Sequence, residues 1–289
     1  MSWSPDPAWV AVPGRHGPAT VGIWTHDDRV IKRVSPGEEE WAPAHVGYWR
    51  REAEVARNPF MVDGPGVFPT GFHSVEEDAE GITIVSQYVE GTAPTSLQVV
   101  AALGRFARAA FTEAPWCARD VLATRLAMVE NRGGWRALAS TDLGPLSQIV
   151  WQLRGQLMDR LAQAPQGRMH GDATPANFLA QRDGGVVAID WQCFGVGPVG
   201  SDLGYWALSA REDFGVLLDV YAGDHPWRSK IEDVARIMIA FTILSRADLA
   251  LGQLNRMGGD EVAVSQHPSV APHFRALQRH LDCIESLLD

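Results

Sequence analysis

Apolar positions recur with a period of two in the first third of the chain and mostly with helical spacing beyond it, so sheet gives way to helix along the sequence. Residues 8–13 (AWVAVP), 20–25 (TVGIWT) and 30–34 (VIKRV) are short, β-branched stretches broken by Gly, His and Asp. They predict a three-strand antiparallel meander. GYWRREAEVARNPF at 47–60 carries helical periodicity and ends before Pro59, which predicts one helix. V-F-P-T-G-F-H at 67–73 and GITIVSQYVEG at 81–91 predict two more strands, with E-E-D-A-E-G turning between them. Residues 96–165 are Ala/Leu-rich with apolar residues at helical spacing, and NFLAQ and GVVAID follow as two short strands joined by R-D-G-G. The pattern predicts an α+β chain of two lobes. Residues 1–91 would form a small five-stranded antiparallel lobe with one helix after the third strand, and residues 92–289 a larger, mainly helical lobe.

Composition narrows the class. The chain has 289 residues, 46% of them hydrophobic, enough for a sizeable core. MSWSPDPAW carries no basic stretch followed by an apolar run, so no secretory leader is expected. Apolar runs stop well short of a membrane span, so a soluble cytoplasmic protein, monomer or homodimer, is expected. Cys117, Cys193 and Cys283 are scattered and read as free thiols. A net charge of −10 argues against a nucleic-acid partner, because phosphate contacts need clustered Lys and Arg. Of 25 basic residues only Lys32 and Lys230 are lysine. Lysine retained within V-I-K-R-V suits chemistry that needs a compact charge on a flexible stem. The eleven tryptophans read as packing rather than an aromatic cage.

The chemistry concentrates in M-H-G-D-A-T-P-A-N at 169–177 and V-A-I-D-W at 187–191. Asp172 and Asn177 sit in a turn rich in breakers, and Asp190 ends the strand that the following hairpin returns beside that turn. Two carboxylates and an amide oxygen suit Mg²⁺, which takes one or two carboxylates and fills its shell with water and substrate phosphates. Phosphoryl transfer needs that ion, a lysine on the phosphates, and a carboxylate that orients the attacking hydroxyl. Lys32 supplies the lysine and Asp172 the orienting carboxylate, with Asn177 and Asp190 left for the metal. Gly14, Gly17 and Gly22 lie in or beside the first connection without forming G-x-G-x-x-G; a phosphate-covering loop and an ordinary hairpin turn both fit.

H-G-D-x-x-x-x-N, followed by I-D-W and then G-x-G-P-x-x-x-D-L, resembles the aminoglycoside phosphotransferase or choline-kinase-like family of small-molecule kinases, which share the protein-kinase fold. The likeness runs from V-I-K at 30–32 to S-D-L-G-Y-W at 201–206. It implies a bilobal kinase-like fold using ATP (or GTP) and Mg²⁺. Asp172 resembles the catalytic aspartate, Asn177 and Asp190 the magnesium ligands, and Lys32 the phosphate lysine. Glu52 resembles the helix glutamate that pairs with that lysine, with Glu54 a rival on another face of the helix. Gln87, Tyr88 and Val89 match the hinge whose backbone meets adenine. His170 and Asp202 match residues that brace the catalytic loop. The chain departs from the family at Thr174, where histidine is common, and at Gln192 and Cys193, where acidic residues are common.

Residues 202–289 hold 13 acidic and 8 basic residues, in the region where the family builds its acceptor pocket. Glu212, Asp213, Asp219, Asp224 and Asp248 are candidates for a cation-facing rim. Together they favour an amine-bearing acceptor with a hydroxyl group, such as an aminoglycoside-like antibiotic or another basic natural product, with antibiotic resistance and a biosynthetic or metabolic role both open. Choline-like amino alcohols, homoserine, methylthioribose, sugars and macrolides are the alternatives, and a nucleotide-binding pseudokinase scaffold is the alternative of a different class.

Overall fold

The computed structural model describes residues 3–14, 17–256 and 270–288. Arg15 and His16, within the proposed phosphate-covering connection, lie outside the described residues. The chain divides into two compact units, one of residues 1–120 and 167–197, the other of residues 121–166 and 198–289.

The first unit is built on a five-stranded sheet. Its strands are β1 (Val10–Ala11), β2 (Thr20–His26), β3 (Arg29–Val34), β5 (Phe72–Glu77) and β6 (Ile82–Gln87), in the order β1-β2-β3-β6-β5. All four pairings are antiparallel. Asp27 takes φ 50° in the tight turn between β2 and β3, a conformation that Asp tolerates better than most side chains. Lys32 pairs with Ile23 on one side and Ile84 on the other, so the three share a face of the pleated sheet.

Helix α1 (Arg51–Arg57) covers that face. Ala53 and Ala56, three apart and thus on one side of the helix, pack with Val34, Ile82 and Ile84, and Trp49, Phe72 and Val75 border the cluster. Small alanines let the helix approach closely. The helix is shorter than the 47–60 expected, because Asn58 leaves helical geometry and Pro59 opens a separate single turn.

The stretch 67–73 is not one strand. Residues Val67–Pro69 form β4, which pairs in parallel with β9 (Gly185–Ala188) in a second sheet of order β4-β9-β8, where β8 is Phe178–Arg182. The fifth strand of the first sheet is β5, which takes Glu76 and Glu77 into the ladder rather than into a turn. Thr70 and Gly71 mark the change of sheet. Asp183 (φ 46°) and Gly184 (φ 75°) close the β8–β9 hairpin, as a two-residue turn with left-handed backbone requires. Helix α2 (Ser96–Arg108) starts with a reciprocal Thr95–Gln98 capping box and buries Val99, Val100, Leu103 and Phe106. β7 (Gln166–Met169) pairs with β10 (Gly195–Pro198) on either side of the loop and hairpin.

The second unit is helical. Helices α3 (Val121–Asn131), α4 (Arg136–Ala139), α5 (Gly144–Gln152), α6 (Arg154–Ala162), α7 (Ser201–Ala207) and α8 (Phe214–Ala222) gather around α9 (Arg228–Arg256), with α10 (Ala271–Arg279) and α11 (Leu281–Glu285) completing it. The middle of α9 is buried without interruption from Ile237 to Leu244, as a central helix must be. Among the described residues, no helix is long and apolar enough to cross a membrane.

Candidate active site

Glu52 precedes Ala53 on α1, so the helix face that packs on the sheet also turns the Glu52 carboxylate toward Lys32. Lys32 Nζ lies 2.5 Å from Glu52 Oε2 and 2.9 Å from Asp190 Oδ1. The lysine and glutamate side chains are 12% and 11% exposed and the aspartate 28%, so the ammonium is shared between two carboxylates largely out of water. Burial alone would depress the Lys32 pKa; the charges of Glu52 and Asp190 outweigh it and hold the group above its ordinary value, fully protonated. Burial pushes the Glu52 carboxyl up, and the Lys32 charge opposes that shift.

Asp190 reaches this position through a left-handed backbone, φ 60° and ψ 64°. Such a conformation is costly for a residue with a side chain and gathers at functional sites. Ahead of it, the 169–177 loop folds on itself. Asp172 N–H donates to His170 Nδ1 at 3.3 Å, and His170 Nε2 lies 2.9 Å from the Ile189 carbonyl. With Nδ1 accepting, Nε2 is the nitrogen that donates to the Ile189 carbonyl. His170 is fully buried, so it ties the loop to the strand that ends in Asp190. Asn177 Nδ2 donates to the Asp172 carbonyl at 2.9 Å and to Asp172 Oδ2 at 3.2 Å. Its backbone carbonyl accepts from Ile189 N–H at 3.0 Å. The Asn177 side-chain oxygen is thereby left for another partner.

These groups border a cavity of about 470 Å³. Lys32, Glu52, Asn177 and Asp190 line it, with Ile23, Val30, Phe72, Ile84, Leu179 and Ile189 among its apolar walls, and Gln87, Tyr88 and Val89 also contribute. Charged, amide and hydroxyl side chains are set among the apolar ones, and polar groups placed on an apolar wall are what orient a ligand in a small-molecule site. Asp172 is joined to the cavity's edge through Asn177. In the 87–89 segment, Gln87 N–H donates to Gly71 O and Tyr88 N–H to Asp28 O, both at 2.7 Å, and the Gln87 carbonyl accepts from Thr70 Oγ1 at 2.8 Å. Among the described residues only Val89 keeps a backbone N–H without a backbone partner in that stretch.

Among the described residues no three His, Cys, Asp or Glu side chains cluster as a metal site. The oxygen donors beside the cavity, Asn177 Oδ1 and the Asp190 carboxylate, match the habit of Mg²⁺, which needs few protein ligands when phosphates supply the rest.

The structure therefore brings together Lys32, Glu52, Asp172, Asn177, Asp190 and His170. Asp202 is buried in the first turn of α7, in the second unit. Asp248 Oδ1 accepts from Ala137 N–H at 2.7 Å and Leu138 N–H at 3.1 Å, at the start of α4. Asp219 pairs with Arg228 at 2.6 Å, Glu212 accepts from Arg211 N–H, and Asp213 precedes α8. Sequence reasoning did not find Thr70, which fixes the Gln87 carbonyl; Trp191, which closes the I-D-W stretch, is buried, and among the described residues its indole N–H has no hydrogen-bond partner. The T-G break after F-P could have flagged Thr70.

Comparison with known proteins bears on this geometry. The model of the phosphotransferase enzyme family matches residues 12–227. Among solved structures, a choline/ethanolamine kinase family protein from Mesorhizobium loti is similar with a TM-score of 0.59 at 17% identity, over 96% of this chain and 92% of that one. The GDP complex of aminoglycoside 2'-phosphotransferase-IIIa gives 0.57 at 12%, over 96% and 92%. Amicoumacin kinase in complex with AMP-PNP and Ca²⁺ gives 0.56 at 11%, over 97% and 89%. At these identities the likeness shows the fold, which is the kinase-like α+β fold expected from the sequence. No curated protein sequence matches the chain.

Proposed function

The chain belongs to the phosphotransferase enzyme family and is a small-molecule phosphotransferase, and we propose that it transfers the γ-phosphoryl group of ATP or GTP, with Mg²⁺, to a hydroxyl of a small acceptor. The observation that carries this reading is Lys32 held between Glu52 and Asp190 at the wall of the cavity that Asn177 also lines. In it, Lys32 neutralises nucleotide phosphates and Glu52 orients Lys32. Asn177 and Asp190 hold the metal, which when bound neutralises charge developing on the transferred group. Asp172 orients the acceptor hydroxyl and takes its proton as the oxygen attacks phosphorus and the bond to the leaving diphosphate breaks. The Asn177 amide sets the Asp172 carboxylate, and His170 keeps the loop at its depth. The 87–89 backbone receives the base, with Val89 N–H as its donor. Rate enhancement then comes from positioning and charge stabilisation.

For the acceptor we infer an amine-bearing molecule. With Asp219 and Asp248 engaged locally, that inference rests on the acidic excess of residues 202–289 and on Asp213. A mass-spectrometric screen of amine-containing natural products, choline-like alcohols and sugars for an added phosphoryl group tests it. Asp172→Ala should abolish turnover and keep nucleotide affinity, whereas Asp190→Ala should also weaken binding of the metal–nucleotide complex. Normal turnover by Asp172→Ala would overturn the role given to that residue.

A further inference from the structure

Arg51 has no exposed surface. Its Nε donates to the Trp116 carbonyl at 2.8 Å, Nη1 to Val46 at 3.1 Å and Gln192 at 2.7 Å, and Nη2 to Pro43 at 2.8 Å and His45 at 2.6 Å. Five N–H groups meet five backbone carbonyls, and among the described residues no carboxylate pairs with it. A buried charge without a counter-ion is costly unless every donor is satisfied, so this site is built for a planar guanidinium. Lysine, with three donors and no fork, cannot replace those bonds.

The partners are informative. Arg51 adjoins Glu52 on α1, and Gln192 stands two residues after Asp190. One rigid group therefore ties the helix that carries Glu52 to the turn that carries Asp190, and the 43–46 and 116 segments anchor it from behind. Gln192 carries the link further: a Cβ at Gly17 would lie 2.9 Å from Gln192 Oε1, so this side chain lies against the first described residue after the 15–16 connection.

Building on the phosphotransferase reading above, we infer that Arg51 is a positioning residue, which fixes the spacing of Glu52 and Asp190 about Lys32 and so the geometry in which the metal–nucleotide complex binds. Without it, α1 keeps its apolar contacts with the sheet but loses its tie to the Asp190 turn.

The test compares wild type, Arg51→Lys and Arg51→Met by titration calorimetry with AMP-PNP, with and without Mg²⁺, alongside thermal melts. In wild type Mg²⁺ should tighten binding. In Arg51→Met that gain should fall about 10–100-fold, the usual cost of removing a partner that orients metal ligands, while metal-free affinity is kept. Arg51→Lys should recover a minor part of it, and hydrogen exchange in this variant should quicken at residues 190–194 but not across β6. A role in folding alone would lower the melting temperature and leave the Mg²⁺ gain intact in folded protein; that result, or failure of both variants to fold, overturns the inference. If wild type itself shows no gain from Mg²⁺, the phosphotransferase reading of the site fails instead, and this inference with it.

Discussion

At the scale of single residues, the H-G-D stretch shows how backbone geometry governs side-chain chemistry. Gly171 has φ 79°, and a Cβ there would sit 2.3 Å from the Cys193 carbonyl oxygen. Gly184 has a similar φ of 75° with nothing within 4 Å of that position. A left-handed backbone costs an ordinary L-residue about 1–2 kcal/mol. Gly184→Ala should therefore lose about that much stability, since only the conformational term applies. Gly171→Ala should lose more and should also lower turnover, because the loop must back away from Cys193 and carry Asp172 with it. Urea melts and steady-state rates on the two variants check this; equal losses would show that the close approach to Cys193 does not matter. Asp172, Asn177, Asp190 and Lys32 were legible in the sequence because their chemistry demands particular side-chain types. Arg51 was not, since its partners are backbone carbonyls, which leave no trace in residue identity.

At the scale of elements, the sheet is pinned on the face away from the cavity. Arg33 is buried beneath Trp3, 4.7 Å from its ring, and donates to Thr83 Oγ1 at 3.0 Å and Asp78 Oδ1 at 2.6 Å. This joins β3 to the turn between β5 and β6. The bond from Arg33, with the backbone N–H of Glu80, holds the Asp78 carboxyl down at about 2. A folded-state value below the unfolded one means that the contribution to stability is present above the ordinary carboxylate pKa and is lost as the pH falls from 3.8 toward 2. Asp78→Asn should flatten the fall of stability over that window and leave the slope above it unchanged, measured as unfolding midpoints against pH. Asp78 titrating at its ordinary value by NMR would sink the assignment. The strands themselves were legible from period-two alternation. The division of 67–73 between two sheets was not, because alternation reports that a stretch is extended but not which partner it pairs with.

At the scale of the whole molecule, the chain's order and its packing differ. Lys32 and Glu52 come from residues 1–120 and Asp172, Asn177 and Asp190 from 167–197, yet both segments form one compact unit. Alternation and helical spacing show the elements but cannot show that a chain returns after 46 residues to complete an earlier unit. A thermodynamic consequence follows. Every cavity-lining residue named above belongs to that unit, so a nucleotide that binds there stabilises its folded form by mass action, about 2.7 kcal/mol at a hundred times the dissociation constant. For a unit of this size that is a rise of about 5–10 °C in its transition. Two compact units need not unfold together, so calorimetric scans with Mg²⁺ and AMP-PNP should raise one transition, or the leading part of a composite one. Lys32→Met leaves Glu52 and Asp190 facing each other without the ammonium between them. It should weaken the response to nucleotide and lower the starting stability as well, because a buried carboxylate has lost its partner. Asp190→Ala leaves the Lys32–Glu52 pair in place, so nucleotide alone should still raise its transition while the added effect of Mg²⁺ disappears. A Mg²⁺ effect of wild-type size in Asp190→Ala would mean that the ion is held elsewhere, and the left-handed strain at Asp190 would then need a different explanation.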